Sequence, residues 1–332
     1  MNSSTTNFDV SPRRAVRYLL WFFGTAMVLS ICAWVVVRPI APQFTGNASF
    51  DQKLLYLREH PPKSGPIGLV VGSSMALNNV DTDVLASSLD RPFLNLGVWG
   101  LGTAEAGRIA DQFDRLYGAS EIILVAQFFE MKDEPAERFA IPDAALHEYL
   151  KGNAWLADIE HRDFYESLRM RSRWARSFEN QHRYTSLKFS ETGAAPLLIR
   201  PDQSDPSRWN PPQPFSVECK DCMREIESMC VAFREKNIPF SVVMPPLTQW
   251  IGEHREDVRA AYADRRTRLA AVLKRCGAPL FDAAKWAKFD DACFADFAHL
   301  NATGMRRMTE LFLHWREKRL TETPISINCA ED

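Results

Sequence analysis

Five short apolar runs alternate with longer stretches of helical periodicity over most of the 332-residue chain. Each run has the length and composition of a strand that is buried on both faces. The apolar runs span residues 67–71, 92–98, 121–129, 239–244 and 279–282, and the helical patterns span residues 103–116, 219–236, 253–275 and 304–320. Strands that alternate with helices predict an α/β fold, a three-layer α/β/α sandwich with a five-stranded parallel sheet. In such sheets ligands bind beyond the carboxyl ends of the strands.

One apolar run near the start of the sequence is longer. Residues 18–37 contain no charged side chain and would span about 30 Å as a helix, the thickness of the hydrocarbon core of a bilayer. Arg13, Arg14 and Arg17 precede the run and only Arg38 follows it closely, so the positive-inside rule places residues 1–17 in the cytoplasm. A cleaved signal peptide is the alternative, but the run is long for one and no clean A-x-A site follows. We expect a single-pass anchor in the inner (cytoplasmic) membrane with a periplasmic domain.

The sequence around the alternating elements predicts how the rest of the chain is divided. Residues 38–65 are rich in proline and include one short amphipathic piece, residues 50–59, which is typical of a stalk or linker. Residues 66–320 form the α/β domain, and residues 321–332 form a tail. Residues 131–216 interrupt the alternation, and we interpret them as an insertion over the ligand-binding edge of the sheet.

The insertion contains a basic and aromatic stretch, residues 169–188. Its arginines and Trp174 could bind a polysaccharide or anionic headgroups, but a solvated helix face is the commoner reason for such a run. The whole chain has 40 Lys and Arg against 42 Asp and Glu, and its formal charge is -2. No global field therefore favours nucleic acid as a partner.

The cysteines bear on the compartment of the domain. Cys32 lies in the long apolar run, and the other six are Cys219, Cys222, Cys230, Cys276, Cys293 and Cys329. Export would allow these six to pair as disulfides. Cys219 and Cys222 form a C-x-x-C pair, but no second pair or paired histidine completes a zinc site, so a local disulfide or free thiols are the favoured interpretations.

Small and polar residues follow the first two predicted strands. Gly72-Ser73-Ser74 ends the first strand. A serine at such a turn exposes its hydroxyl at the ligand-binding edge, near helix amides that can stabilise an anion, although capping of the next helix is the alternative role. Residues 95–102 end the second strand, and their glycines allow backbone amides to approach an oxyanion closely. Their order, G-x-x-G-x-G, differs from the dinucleotide fingerprint, so we do not predict NAD binding.

A histidine lies between the last predicted strand and the last helix, in the sequence Asp296-Phe-Ala-His299. A D-x-x-H turn can bring a carboxylate to an imidazole, fix its tautomer and stabilise its protonated form. Three other aspartates are near enough in sequence to orient the same histidine: Asp282, Asp290 and Asp291. His161 ends a D-x-x-H sequence too, but it lies in the insertion and we assign it no role.

These motifs, in this order, resemble those of the SGNH hydrolase superfamily, the GDSL-like esterases and acyltransferases. The resemblance covers roughly residues 65–320 and implies a flavodoxin-like sheet. It implies a triad in which Ser74 is the nucleophile, His299 the base and Asp296 the orienting carboxylate, without a cofactor or a metal ion. It also implies an oxyanion hole formed by the amides of Ser74 and Gly100, with substrate contacts at Asn95 and Trp99.

The sequence departs from the family pattern at two positions. Ser73 stands where the family has the aspartate of G-D-S. The asparagine that the family uses as a third oxyanion donor has no equivalent in the sequence Gln127-Phe-Phe-Glu130, and Gln127 is the candidate substitute. An ordinary polar residue at a strand end is the other interpretation of Gln127.

The Gly-Ser-Ser turn, the Gln127-Phe-Phe-Glu130 sequence, Met-Pro-Pro at residues 244–246 and D-x-x-H-L-N are similar to a narrower group. Its members are membrane-anchored exported proteins of alginate O-acetylation and of D-alanyl transfer to teichoic acid, some of which work beside a polytopic membrane-bound O-acyltransferase. This resemblance implies an exported serine acyltransferase that acts on acyl esters, foremost acetyl esters, of a cell-surface polysaccharide or envelope polymer. A carbohydrate esterase with the same triad and a catalytically weak scaffold or glycan-binding protein are the alternatives.

Overall fold

The computed structural model describes residues 11–37, 44–45, 47–62, 65–131, 141–152, 187–198, 221–318 and 324–330. Several features discussed above lie outside these residues: most of the basic stretch with Trp174, the D-x-x-H sequence that ends at His161, and Cys219.

A five-stranded sheet forms the centre of the domain. The strands are β1 (Ile67–Gly72), β2 (Phe93–Asn95), β3 (Ala119–Val125), β4 (Phe240–Met244) and β5 (Leu280–Asp282). They lie in the order β2-β1-β3-β4-β5, and all four pairings are parallel. This is the flavodoxin-like order. The predicted α/β fold is confirmed, and each strand overlaps one of the five apolar runs.

The chain forms eleven helices in the described residues, and all but the first lie around the sheet. They are α1 (Pro12–Val37), α2 (Ala48–Glu59), α3 (Ser74–Asn79), α4 (Thr82–Leu89), α5 (Thr103–Tyr117), α6 (Asp143–Lys151), α7 (Asp221–Glu235), α8 (Gln249–His254), α9 (Glu256–Cys276), α10 (Ala283–Trp286) and α11 (Ala302–Arg316). One apolar core includes α2, α5, α7 and α9, and a second includes α3, α4 and α11. β1 contributes to both cores because its side chains alternate, with Leu69 and Val71 on one face and Val70 on the other.

Helix α2 lies in the region expected to be a stalk, and the structure corrects that expectation. Phe50, Leu54 and Leu57 of this helix are each only 1% exposed and belong to the core. Asn47 caps the helix by accepting hydrogen bonds from two backbone amides, and it donates one to the carbonyl of Trp99 at 2.7 Å. Prolines on both sides give the region the composition of a linker, but the helix between them buries an apolar face. Residues 48–59 are therefore part of the globular domain.

The expected tail also contains regular structure. Strand β7 (Ile325–Ile327) pairs in parallel with β6 (Ala287–Phe289), forming a small second sheet. A disulfide joins Cys329 to Cys293 just before the D-x-x-H turn, and another joins Cys230 to Cys276. Among the described cysteines only Cys32 is free. Two of the disulfides that the sequence analysis allowed for are thus present.

Part of the expected insertion packs against the α/β domain and forms hydrogen bonds with it. In residues 187–198, which we call the strap, Ala194 and Ala195 are buried. The amide of Ala195 donates to the carbonyl of Leu77 in α3 at 2.9 Å, and Leu197 forms an isolated parallel bridge with Asn301. The strap therefore contacts both α3 and the residue that caps α11.

Helix α1 stands apart from the sheet. It is 26 residues long, and residues 12–36 have a mean hydropathy of 2.1 with no burial inside the protein. By length and composition it can cross a membrane once, as the sequence analysis expected.

Candidate active site

The turn after β1 places Ser74 at the carboxyl edge of the sheet. Gly72 has a φ of +145°, and a Cβ at this position would lie 2.4 Å from the carbonyl oxygen of Val125, so only glycine fits between β1 and β3 here. Ser73 caps α3, because its Oγ accepts from the amide of Met75 at 3.0 Å. Capping therefore falls to Ser73, and the half-buried Ser74 keeps its hydroxyl for another partner.

That partner is His299. The distance from Ser74 Oγ to His299 Nε2 is 2.9 Å, and the distance from His299 Nδ1 to Asp296 Oδ2 is 2.7 Å. With its proton on Nδ1, the imidazole donates to the carboxylate and accepts from the serine hydroxyl. The structure thus brings together the three residues of the expected triad on one hydrogen-bonded line.

The turn that carries Asp296 and His299 holds the carboxylate in its ionised form. Asp296 Oδ1 accepts from the backbone amides of Ala298 and His299 at 2.9 and 2.7 Å. Burial by itself would raise the pKa of this carboxyl, but attraction by His299 and the hydrogen bonds from the turn outweigh burial, so the pKa of Asp296 lies below its ordinary value. The ionised carboxylate therefore lies beside the imidazole and fixes its orientation.

The three rival aspartates have other partners. Asp282 accepts from the Tyr262 hydroxyl at 2.7 Å and pairs with Arg266, Asp290 accepts from the amide of Ala292, and Asp291 accepts from the amide of Trp250. Among the described carboxylates, Asp296 is the one that reaches His299.

Asn79, at the end of α3, fixes the histidine turn relative to the serine helix. This fully buried side chain donates to the carbonyl of Ala298 at 3.1 Å and accepts from the amide of Leu300 at 2.8 Å. It therefore holds the backbone on both sides of His299. Sequence analysis missed this residue, because a polar residue at the end of a short helix carries no local sign of a partner 220 residues later.

The motif resemblance implies that Asn95 contacts substrate, whereas the structure shows its side chain engaged within the protein. Its side chain is completely buried, donates to the carbonyls of Ala76 and Val80, and accepts from the amide of Gly97. The two donated bonds tie the end of β2 to α3 and to the residue that follows it, and the accepted bond is local to the turn after β2. Asn95 is a structural residue beneath the site.

Gln127 does not supply the missing oxyanion donor either. Its side-chain amide donates to the carbonyl of Pro245 at 3.1 Å and, more weakly, to that of Pro246 at 3.5 Å, while its oxygen accepts from the amide of Phe128. The side chain is fully buried. The residue caps a short 3₁₀ turn and links the ends of β3 and β4, so its donors are already used.

The structure leaves the predicted roles of Gly100 and Trp99 open. Gly100 lies in the exposed turn between β2 and α5 with a φ of +68°, and neither its amide nor that of Ser74 has an acceptor among the described residues. Trp99 is half-buried, and its backbone is tied to the start of α2 through Ser49 and Asn47. Two unpaired amides remain as candidate oxyanion donors.

Three further residues reach the site, two from the end of β3 and one from the D-x-x-H turn. The hydroxyl of Ser73 donates a short hydrogen bond to Glu130, which follows β3. The neighbouring Phe129 packs against Phe297, inside the D-x-x-H turn, with ring centroids 5.4 Å apart. Both aromatic rings are half-buried. All three lie in motifs that the sequence analysis singled out, but the motifs did not reveal these contacts.

The described residues contain no candidate metal site, and a cavity lies elsewhere in the fold. No group of three or more His, Cys, Asp or Glu side chains in the described part of the chain could hold a metal ion. A cavity of about 730 Å³ lies at the amino ends of β3, β4 and β5, lined in part by Arg234, Trp315 and Arg316. Because parallel sheets carry their ligand sites at the carboxyl ends, this cavity is not the expected active site.

Comparisons with known proteins give low similarity. No family model and no curated relative matches the chain. Similar solved structures include a carbohydrate acetylesterase family member from Sinorhizobium meliloti, with a TM-score of 0.36, 12% identity, and coverage of 77% of this chain and 99% of that chain. A lipase/acylhydrolase from Enterococcus faecalis has a TM-score of 0.38, 10% identity, and coverage of 78% and 99%. The aryl esterase of M. smegmatis has a TM-score of 0.40, 12% identity, and coverage of 77% and 100%.

Backbone similarity at this level does not assign an activity. The candidate active site is instead supported by features of this chain. They are the β2-β1-β3-β4-β5 sheet, the Gly-Ser-Ser turn after β1, and the D-x-x-H turn before the last helix. The sheet order agrees with the flavodoxin-like fold that the motif resemblance implies. The narrower membrane-anchored group stays a prediction.

Proposed function

We propose that the protein is a serine-dependent acyl-transfer enzyme. The observation that carries the proposal is the hydrogen-bonded line from Ser74 Oγ through His299 to Asp296. As Ser74 Oγ attacks an ester carbonyl, its proton passes to His299 Nε2, and the imidazolium is stabilised by the charge of Asp296. His299 then gives the proton to the departing alcohol, which leaves the acyl group esterified to Ser74. An acceptor hydroxyl then attacks the acyl ester while His299 takes its proton, and His299 returns that proton to Ser74 Oγ as the bond between Ser74 and the acyl group breaks.

The oxyanion of the tetrahedral intermediate would be bound by the amides of Ser74 and Gly100. A third donor is missing because Gln127 is engaged elsewhere. Loss of one such donor typically lowers turnover about a hundred- to a thousandfold. A slow enzyme, or one whose hole is completed by its substrate or its partner, is the expected result.

We further propose that the enzyme acts outside the cytoplasm on a cell-surface polysaccharide or envelope polymer, transferring an acyl group such as acetyl. Helix α1 supports a single-pass anchor in the inner membrane, and the two described disulfides fit an oxidising compartment such as the periplasm. The motif resemblance supports a polytopic membrane-bound O-acyltransferase as the partner that delivers the acyl group.

A hydrolase with the same triad is the nearest alternative. Both activities share the acyl-enzyme and differ in whether water or a sugar hydroxyl resolves it. A second candidate, a non-enzymatic scaffold or glycan-binding protein, is favoured by one observation, the missing third oxyanion donor.

A fluorophosphonate probe distinguishes the enzyme from the scaffold. The full chain, solubilised in detergent, is expected to form an adduct on Ser74, because the probe reports an activated serine. Ser74→Ala and His299→Ala should abolish the adduct. Ser88→Ala and His314→Ala, at exposed positions, should leave it unchanged. Absence of an adduct in the wild-type protein would favour the scaffold.

The acceptor is tested on the acyl-enzyme. An acyl donor such as p-nitrophenyl acetate should leave an acetyl group on Ser74 that mass spectrometry detects. Faster decay of this group with a glycan added than in water alone would support the transferase. Equal decay in both would support the esterase.

A further inference from the structure

Ser73 links the serine helix to a carboxylate from another strand. Its Oγ accepts from the amide of Met75 at 3.0 Å, and its proton is donated to Glu130 Oε1. A hydroxyl that both donates and accepts has a fixed orientation. Ser73 is only 2% exposed, so water is a poor substitute for either partner.

Glu130 is in turn held by the end of β3. It closes the 3₁₀ turn Phe128–Glu130, and its Oε2 lies 3.4 Å from the amide of Gln127, whose side chain reaches the carbonyl of Pro245 after β4. The connections run from the residue before Ser74 to the ends of two neighbouring strands. Phe129 packs on the histidine turn from the same segment.

We propose that Glu130 is a positioning residue for Ser74 that acts through Ser73; this inference rests on the proposed acyl-transfer function. In a Gly-Asp-Ser turn one side chain would supply both a capping oxygen and a negative charge at the start of the serine helix. Here the two tasks are divided, since Ser73 supplies the capping oxygen and Glu130 supplies the charge. The link holds the first turn of α3, and with it the hydroxyl and the amide of Ser74.

The division of tasks makes the two positions interdependent. An aspartate introduced at position 73 alone would place its carboxylate against that of Glu130, and the two like charges would repel each other. Combining Ser73→Asp with Glu130→Gln removes the repulsion. The introduced carboxylate then caps α3 and accepts a hydrogen bond from the introduced amide.

The test measures the rate of fluorophosphonate labelling of Ser74 in the full chain, together with the thermal midpoint of unfolding. Glu130→Ala and Ser73→Ala are each expected to slow labelling about tenfold, the size of effect that follows from losing a hydrogen bond to a charged group. The double variant should be no slower than the slower single one, because both changes remove the same link. Glu130→Gln should be milder, since its oxygen still accepts from Ser73.

The charge exchange is the decisive comparison. Ser73→Asp should slow labelling, and Ser73→Asp combined with Glu130→Gln should recover most of the lost rate. A purely structural role would move the thermal midpoint in parallel with the rate, whereas a positioning role changes the rate at a nearly constant midpoint. Glu235→Gln, at an exposed position in α7, is the matched control.

Two results would overturn the inference while leaving the proposed function intact. One is labelling of Glu130→Ala at the wild-type rate, and the other is an exchange variant as slow as Ser73→Asp. If Glu130→Ala fails to fold, Glu130→Gln and the exchange pair give the same decision. Absence of labelling in the wild-type protein, matching Ser74→Ala, would instead overturn the proposed function and this inference with it.

Discussion

At the scale of single residues, the assignment of the triad carboxylate depends on contacts that sequence distance cannot show. Four aspartates precede His299 within a short stretch of sequence, and three of them have other partners. Asp296 is distinguished by a 2.7 Å bond to His299 Nδ1 and by two amide bonds that fix its carboxylate.

Replacing this carboxylate by an amide should therefore be costly for catalysis. Asp296→Asn keeps the shape of the side chain but removes the charge that stabilises the imidazolium, so ester hydrolysis is expected to fall by about a thousand- to ten-thousandfold. Initial rates with p-nitrophenyl acetate measure the effect. Asp290→Asn and Asp291→Asn are the controls and should retain the wild-type rate; full activity of Asp296→Asn would reassign the role.

The same carboxyl should make a pH-dependent contribution to stability. Because the pKa of Asp296 in the folded protein lies below its ordinary value of 3.8, its ionised form stabilises the fold above that pH, and the contribution is lost as the pH falls through the lowered pKa. The difference in free energy of unfolding between wild type and Asp296→Asn should thus shrink below about pH 4. Urea unfolding between about pH 6 and pH 3 measures it. A difference that stays constant or grows on acidification would contradict the assignment.

At the scale of elements, local periodicity predicted the five strands and the four long helices that surround them, because each is a continuous pattern of buried positions. The Gly-Ser-Ser turn after β1 and the D-x-x-H turn were predicted from their residue types and from their positions between predicted strands and helices. The sequence did not predict contacts between distant segments. These are the packing of α2 in the core, the contact of the strap with α3, and the hydrogen bonds of Asn95 and Gln127. No local pattern reports whether a polar side chain already has its partners.

Helix α2 provides a test of the corrected boundary. Leu54→Ala should lower the free energy of unfolding by about 2–5 kcal/mol, as expected for a fully buried leucine whose removal leaves a cavity. Chemical denaturation of the full chain in detergent measures the change. Glu59→Ala, at the exposed end of the same helix, should change it by less than about 0.5 kcal/mol. Equal, small effects of both changes would contradict the burial of α2 and favour the interpretation of this region as a stalk.

The small second sheet depends on a covalent link. The disulfide between Cys293 and Cys329 closes a loop with a sequence separation of 36. Replacing both cysteines by serine should lower the free energy of unfolding by about 3–4 kcal/mol, since an unlinked unfolded chain has more conformational freedom. Denaturation curves measure the loss. Cys32→Ser, in α1 and free, should not change the stability of the domain.

At the scale of the whole molecule, α1 and the disulfides both favour a domain outside the cytoplasm. If the domain is exported and α1 stays in the bilayer, the protein should remain in bacterial membranes after carbonate extraction, and protease added to spheroplasts should digest the domain. Cys230, Cys276, Cys293 and Cys329 should resist alkylation until a reductant is added. Alkylation of these cysteines without reduction, or protection from protease, would place the domain in the cytoplasm.

The two ends of the catalytic line are far apart in the chain. Ser74 precedes His299 by 225 residues, and the hydrogen bond between them joins the turn after the first strand to the turn before the last helix. The catalytic line can therefore close only late in synthesis, when nearly the whole domain is available to fold.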